Sequence, residues 1–402
     1  MRQRWFVVVW VACVGAFRAE GQVDPVPRDL LQFGYNAALE GHPPLSIYAF
    51  YYRNQPGFLQ TNLTLRLAIA PTYVDSELGV KHFVTENTDL GLDLAGGGFA
   101  DSYQEIDQGT FIEAQSFTGH SVEGGASIYH LFNPGQLIPL YLVVKGITHY
   151  SIYVRNSDTA NNFELPNDHT TFKVRSGLRW GGREPTLFPD LAMELSIWYE
   201  GEFRTDSGTY GFNDRKLEPQ SHLFWSEAAL AYTLPELKHN FFVSLTAGTS
   251  IEADRFSAYR LGALLPLVAE FPLSLPGYYN GELSANRFLL LGGDYIVPID
   301  HEQRWNVAAT ASTALVDYLS GLGQPGHWNS GVGGGLLYRN DSFKMMLCYA
   351  YGIDAIRSHG RGANSIGVLM QLDLAKAKAK MFSPTSPSMW QGMQRFFGVF
   401  KD

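Results

Sequence analysis

The sequence is short of charged residues and of cysteine, and each shortage excludes a class of protein. Charged residues make up only 17% of the chain, against about 25% in soluble globular proteins. Of the two cysteines, Cys13 lies in a segment that we expect to be removed, which leaves Cys348. The mature chain is therefore expected to contain no internal disulfide and no thiolate metal cluster.

Basic residues are scarce as well. The chain carries 30 lysines and arginines against 39 aspartates and glutamates, a formal net charge of −9, and no basic run occurs before the last residues. A protein surface that binds nucleic acid needs a positive patch to neutralise phosphates. We therefore expect no nucleic acid partner.

Long hydrophobic runs are limited to one segment near the N-terminus. Residues 6–17 are apolar and follow Arg2 and Arg4, but a helix needs about 20 residues to span a bilayer. A charged start, a short apolar region and small residues at 19–21 are typical of a secretory signal peptide. The sequence therefore predicts an exported chain with a signal peptide at residues 1–21.

Motifs for catalysis and metal binding are missing too. The 11 histidines include no H-x-x-x-H or H-E-x-x-H spacing that would hold zinc on one face. The glycine-rich runs at 96–98 and 331–335 lack the context of a phosphate loop and instead favour close approach of strands. Two Ser-His neighbours, at 120–121 and 358–359, have no ordered catalytic motif around them. We expect no cofactor, no metal and no enzymatic activity.

Alternation of apolar and polar residues dominates positions 45–374, and this pattern predicts β-strands. In residues 62–69 the apolar face consists of Leu63, Leu65, Leu67 and Ile69, and the other face of Asn62, Thr64, Arg66 and Ala68. A soluble sandwich also alternates, but export, strands of about ten residues and aromatic strand ends are typical of a membrane barrel. We therefore predict an all-β protein, a transmembrane antiparallel β-barrel of about 16 strands, in contact with the lipids of the bacterial outer membrane.

Two consecutive predicted strands, 171–180 and 191–203, carry opposite charges on their polar faces. If the two strands are neighbours, basic side chains of the first face acidic side chains of the second across the inner wall. The residues are Lys173, Arg175, Arg179, Glu194, Glu200 and Glu202. Structural ion pairing that fills the lumen and a filter for permeating solutes are both consistent with this pattern.

The last third of the chain resembles the barrel of the Omp85 family, also called bacterial surface antigen (D15). The ordered pieces that carry this resemblance are residues 259–262 (YRLG), 275–279 (LPGYY), 287–299 (RFLLLGGDYIVPI), 315–317 (LVD), 330–335 (SGVGGG), 345–354 and 365–374. The final segment is similar to the signal that barrel-assembly machinery reads, through Ser365, Gly367, Met370 and Leu372. The resemblance implies that the loop at 266–286 folds toward the lumen.

The loop motif Leu275-Pro276-Gly277-Tyr278 departs from the family pattern. Family members usually carry an arginine before the Gly-aromatic pair, and that arginine contacts an aspartate on a later strand. Here a proline stands in its place, whereas the aspartate, Asp317, is present with Leu315 two residues before it. The candidate partners of that aspartate are Arg260 and Arg287, and the alternative is that Asp317 simply faces water.

The segments that flank the predicted barrel are short. Residues 22–44 are expected to form a periplasmic N-terminal segment, too short for the POTRA modules that are typical of the family. Residues 375–402 are expected to form a periplasmic tail whose aromatic side lies on the membrane interface, plugs the lumen or docks a partner.

The resemblance implies a role in outer-membrane protein assembly or translocation, with separate periplasmic or outer-membrane protein partners that contact the segments 22–44 and 375–402. The mechanism would lie in a weak seam between the first strand and the strand 365–374. The alternative is a passive channel or structural barrel without assembly activity.

Overall fold

The computed structural model describes residues 26–267 and 269–381. The predicted signal peptide and the part of the predicted tail beyond residue 381 lie outside the described residues. Within those described, no helix is both long and apolar enough to cross a membrane.

The described chain is almost entirely antiparallel sheet. In chain order its strands are β1 (Arg28–Ala38), β2 (Ser46–Pro56), β3 (Leu63–Ile69), β4 (Tyr73–Val80), β5 (Thr88–Gly97), β6 (Ile106–Asp107), β7 (Thr110–Phe111), β8 (Thr118–Leu131), β9 (Leu140–Val154), β10 (His169–Gly182), β11 (Leu191–Arg204), β12 (Gly208–Tyr210), β13 (Arg215–Leu217), β14 (Gln220–Thr233), β15 (Asn240–Ile251), β16 (Tyr259–Leu261), β17 (Leu283–Pro298), β18 (Trp305–Tyr318), β19 (Trp328–Arg339), β20 (Phe343–Arg357) and β21 (Gly360–Asp373). One helix, α1 (Leu374–Met381), follows the last strand.

Sixteen of these strands form a closed barrel, as the sequence predicted. Each pairs with its neighbours along the chain, and the ring closes where β1 pairs with β21. The five short strands β6, β7, β12, β13 and β16 belong to loops, although β16 also adds a short pairing to β17. Closure leaves no unpaired sheet edge, which is the condition for strands in lipid.

The distribution of side chains is inverted relative to a soluble protein. On β11, Leu195 and Ile197 point outward and are 52% and 60% exposed, whereas Glu194 and Glu200 point inward and are 5% and 9% exposed. A wall that places aliphatic side chains outside and carboxylates inside is suited to lipid around a polar interior. The alternation of the sequence thus sets which face of each strand meets the lumen.

The predicted start of the barrel at residue 45 is too late. Strand β1 begins at Arg28, inside the segment that we assigned to the periplasm, and its inward side chains include Gln32 and Asn36. Prolines 27, 43 and 44 lie outside the strand and do not interrupt its backbone hydrogen bonds.

The closing seam between β1 and β21 joins nine residue pairs, from Leu30↔Asp373 to Ala38↔Ser365. Strands β2 and β3 share only six pairs, and β3 and β4 share seven. Among the described strands the seam is therefore not the shortest pairing. The expectation of a weak seam finds no support in the number of paired residues.

The two ends of the barrel differ. At the terminal rim, where β1 begins and β21 ends, the connections are turns of at most eight residues. At the loop rim, long connections such as 98–117, 155–168, 205–219 and 252–282 fold over the opening. The buried apolar core lies inside the lumen and under these loops.

Candidate functional site in the barrel lumen

The connection between β16 and β17, residues 262–282, folds into the lumen and is called the inner loop here; Val268 is its one residue that is not described. Its two arms run side by side, because the Gly262 amide donates to the Leu273 carbonyl at 3.0 Å and the Leu275 amide to the Ala263 carbonyl at 3.2 Å. Tyr278 is completely buried. The inner loop therefore folds into the lumen, as the family resemblance implied.

The predicted loop motif lies directly on the barrel wall. Gly277 has φ +84, and a Cβ there would sit 1.9 Å from the backbone nitrogen of Gly352 on β20. A Cβ on Gly331 of β19 would sit 2.0 Å from the Pro276 carbonyl oxygen. The glycines thus permit the loop and the wall to approach at main-chain distance, which no other residue type allows.

A buried ion pair attaches the inner loop to β20, and we call Glu282 and Arg357 the anchor pair. The two guanidinium nitrogens of Arg357 donate to the two carboxylate oxygens of Glu282 at 2.7 and 3.0 Å. The side chains are 1% and 0% exposed. Glu282 also accepts from the Tyr279 amide at 2.7 Å, and the guanidinium lies 3.8 Å from the centre of the Tyr279 ring. This two-point geometry is the kind that offsets the desolvation of buried charges.

The residues proposed from sequence as loop contacts are divided between the inside and the outside of the barrel. Arg260 donates to the Gly281 carbonyl at 2.8 Å and to the Gln104 carbonyl at 2.8 Å, so it does hold the inner loop. Arg287 and Asp317 approach each other only to 4.0 Å and are 70% and 61% exposed. These two side chains lie on the outer face, and neither contacts the inner loop. Asp317 is therefore not a loop contact, because its position on β18 points outward, and of its two candidate partners it lies near Arg287.

The charged residues predicted on 171–180 and 191–203 do meet inside the barrel. Strands β10 and β11 pair with Lys173 opposite Glu202 and Arg175 opposite Glu200. The nearest nitrogen and oxygen atoms are 3.5 Å apart in Lys173–Glu202 and 3.2 Å apart in Arg179–Glu194.

The inner loop adds a fourth carboxylate, Glu270, to this group. Glu270 lies 3.3 Å from Arg175 and 3.4 Å from Arg179. Burial alone would raise the pKa of Glu270, but the surrounding cations, Arg179 foremost, hold that pKa below its usual range. The inner wall thus uses two of its arginines to hold the loop.

The far end of the inner loop is apolar. Leu265 is 2% exposed and packs in a cluster of inward side chains, whose other members are Tyr48, Leu187, Ala263, Ile296, Ala308, Leu337, Met346, Cys348 and Leu369. A cavity of about 80 Å³ adjoins this cluster, and Asp294 and Arg183 are among its polar lining residues. The inner loop therefore reaches from the loop rim into the terminal half of the lumen.

The connection between β10 and β11, residues 183–190, enters from the opposite side, and we call it the crossing turn. Strands β10 and β11 lie half way round the ring from β1 and β21, yet Glu184 pairs with Arg28 of β1 at 3.1 Å. Leu187 at its centre is 1% exposed. The crossing turn therefore spans the terminal rim. From the sequence alone, residues 183–190 are only a connection between two strands.

The loop rim is closed by a cap built from residues 98–117, 155–168 and 205–219. Its core is aromatic, with Phe117, Phe163 and Tyr210 no more than 1% exposed. Beside this core the carboxylate of Glu105 accepts from Arg215 at 3.0 Å and from Arg255 at 3.2 Å. The loops at this rim are thus packed against one another as a small folded unit.

The segment predicted to carry the assembly signal is β21, the last strand. Ser365 and Gly367 point inward, and Met370 and Leu372 point outward at the seam. A Cβ on Gly367 would lie 2.7 Å from the sulfur of Cys348. The sequence pattern thus describes the two faces of this strand.

The fold is related to solved outer-membrane proteins. No protein-family model matches the sequence and no curated protein matches it. CdiB from Acinetobacter baumannii superposes with a TM-score of 0.58 at 11% identity, over 86% of this chain and 60% of that one. BamA from Haemophilus ducreyi lacking POTRA domains 1-3 gives 0.51 at 12% identity, over 86% and 70%. CdiB from Escherichia coli gives 0.56 at 10% identity, over 85% and 63%.

The chain therefore spans about three fifths of the CdiB chain from Acinetobacter baumannii. At these identities the likeness establishes the fold and nothing finer. CdiB and BamA are both barrels of the Omp85 family. The described chain has the fold of an Omp85-like outer-membrane barrel.

Proposed function

We propose that the chain is an integral protein of the bacterial outer membrane that works, without enzymatic chemistry, in the assembly or translocation of proteins at that membrane. The observation that carries this proposal is the occupied lumen. The inner loop is attached to β20 by the anchor pair, the crossing turn spans the terminal rim, and the cap covers the loop rim. We expect a barrel filled in this way to work through its wall and its seam rather than as an open pore.

The Omp85-like fold supports the same proposal, since assembly and translocation are the roles that the resemblance implies. Partner proteins are expected on the side of the terminal rim, where the chain enters β1 and leaves β21. The outward aliphatic side chains, such as Leu195 and Ile197, are expected to contact lipid directly.

Planar-bilayer recording tests the proposal against a passive channel. The intact protein is expected to give little steady conductance, and a 275–279 deletion, which removes the part of the inner loop packed on Gly331 and Gly352, is expected to open long-lived pores. Arg287→Ala is the matched control, because this arginine is 70% exposed on the outer face. Large, stable pores in the intact protein would establish the passive channel instead.

A second assay measures the activity itself. Proteoliposomes that contain the full chain are mixed with an unfolded outer-membrane barrel as client, and folding of the client is followed by its protection from protease. We expect faster client folding than in liposomes with an unrelated sixteen-strand porin. Equal rates in the two preparations would remove the assembly role, and export through the barrel would then be measured separately.

A further inference from the structure

The crossing turn is held by side chains that contact its main chain. Three inward residues form a row across neighbouring strands, Gln32 on β1, Gln371 on β21 and Lys344 on β20, since Gln371 is directly opposite each of the other two. Gln32 and Gln371 are 3% and 6% exposed. The row lies just inside the terminal rim and bridges the seam.

Each member of the row engages a backbone group of the crossing turn. The Gln32 amide nitrogen donates to the Pro185 carbonyl at 2.9 Å, and the Gln371 side-chain oxygen accepts from the Leu187 amide at 2.9 Å. Lys344 donates to the carbonyls of Leu187 and Phe188. The Gln32 amide also donates to the Gln371 oxygen at 2.9 Å, so the two glutamines are joined across the seam.

One side chain of the turn is recognised as well. Leu187 is buried in the apolar cluster beside Met346 and Leu369. The ion pair between Glu184 and Arg28 lies at the outer edge, with Glu184 54% exposed. Backbone contacts plus one aliphatic anchor are the chemistry of a peptide site that tolerates many sequences, because carbonyl and amide groups are common to all of them.

The turn itself is held in an unfavourable conformation. Phe188 has φ +50, a region that residues with a Cβ rarely adopt. Such a conformation persists only when surrounding contacts impose it. An occupant in a relaxed extended conformation would make the same contacts without this cost.

We propose that Gln32, Gln371 and Lys344, with the apolar pocket around Leu187, form a binding site for an extended polypeptide segment that carries a large aliphatic side chain. The crossing turn occupies this site within the same chain. A polypeptide that enters from the terminal rim displaces the turn and takes over its contacts with both seam strands. This inference rests on the proposed function, because it names the client's backbone as the ligand.

The test uses the full chain in lipid nanodiscs and a fluorescent synthetic peptide with the sequence of residues 183–190, REPTLFPD. The wild-type protein is expected to bind the peptide weakly, because its own turn competes at high effective concentration. Leu187→Ala weakens only the occupant and is expected to tighten peptide binding at least about tenfold, by raising the fraction of open sites. When Gln32→Ala and Gln371→Ala are added to Leu187→Ala, the gain in peptide affinity is expected to disappear.

Two controls separate specific binding from damage to the barrel. A scrambled peptide of the same composition is expected to bind no variant, and Arg287→Ala is expected to behave as wild type. If Leu187→Ala does not fold, a specific protease site inserted between Arg183 and Glu184 allows the turn to be cut after the wild-type barrel has formed. Cutting is then expected to produce the same gain in peptide binding.

The test compares the wild type with a folded barrel whose crossing turn has been weakened by Leu187→Ala or cut. If that barrel binds the peptide no more tightly than the wild type does, the inference is overturned. The assay contains no client and no membrane insertion step, so its result is independent of the client-folding assay. Binding without faster client folding keeps the site and removes the assembly role. Faster client folding without peptide binding keeps the assembly role and removes the site.

Discussion

The anchor pair gives the sharpest prediction of stability, since it is a charge pair with almost no solvent contact. Removing one partner, in Arg357→Met or in Glu282→Leu, leaves the other charge buried with no counterion. Breaking a buried pair in this way costs about 3–5 kcal/mol. We expect each single variant to lower the free energy of unfolding by that amount, because both side chains are at most 1% exposed.

The double variant separates charge from packing. When both partners are replaced by apolar residues of similar volume, no unpaired charge remains, and the change is often neutral or stabilising by about 1–4 kcal/mol. Glu282→Leu with Arg357→Met is therefore expected to recover most of the loss seen in either single variant. The double variant still lacks the acceptor of the Tyr279 amide, which sets a residual cost of about 1–3 kcal/mol.

Urea unfolding of the refolded barrel in detergent micelles, followed by tryptophan fluorescence, measures these differences. Arg287→Ala is the control, because Arg287 and its partner Asp317 lie at the loop-rim ends of β17 and β18, 4.0 Å apart and both more than half exposed. An exposed pair of this kind contributes about 0–1 kcal/mol. Single anchor variants that lose no more than this control would refute the reasoning. A double variant as unstable as the sum of the singles would refute it equally.

Three further predictions concern the inner loop and the barrel as a whole. Gly331→Ala is expected to raise bilayer conductance, since its Cβ would lie 2.0 Å from the Pro276 carbonyl oxygen and push the loop off the wall; unchanged conductance would contradict the packing. The pKa of Glu270 is lowered in the folded state, so its ion pairs contribute above the usual carboxyl pKa of 4.5 and are lost as the pH falls through the lower folded pKa. Conductance that rises reversibly as the pH falls below the usual carboxyl pKa of 4.5, and shows no such pH dependence in Glu270→Gln, is the expected result. An unboiled sample is expected to migrate differently from a boiled one on a gel, as a closed barrel resists detergent, and a single mobility would contradict the closed barrel.

The barrel was predictable because each strand alternates in the same way between apolar and polar side chains. Lipid outside and polar groups inside impose a period of two, and that period is readable in any strand long enough to show it. That the basic face of 171–180 meets the acidic face of 191–203 followed from assuming that consecutive strands are neighbours. The register itself, Lys173 with Glu202 and Arg175 with Glu200, came only from the structure. Strand β1 was missed, because inward side chains such as Gln32 and Asn36 are uncharged and make its alternation weaker than that of the later strands.

The luminal contacts were not predictable, because they join residues that are distant in sequence. Glu282 and Arg357 are separated by 75 positions, and Gln32 and Gln371 by 339. No periodicity links such positions, and a single carboxylate such as Glu270 is indistinguishable from a solvated one until the lumen is built around it. The resemblance did indicate where the loop enters, through Gly277 and Tyr278, but its expected acceptor Asp317 points outward.

The two elements that fill the lumen end on the same sector of the wall. The inner loop is attached by Arg357 at the loop-rim end of β20, and the crossing turn is held by Gln371 of β21 and Gln32 of β1 at the terminal rim. These three strands are consecutive around the ring and include the seam. A separation of β1 from β21 must therefore break the Gln32–Gln371 hydrogen bond and loosen the crossing turn, while β20 retains the inner loop. The seam's stability is therefore expected to depend on what occupies the lumen as well as on its nine residue pairs.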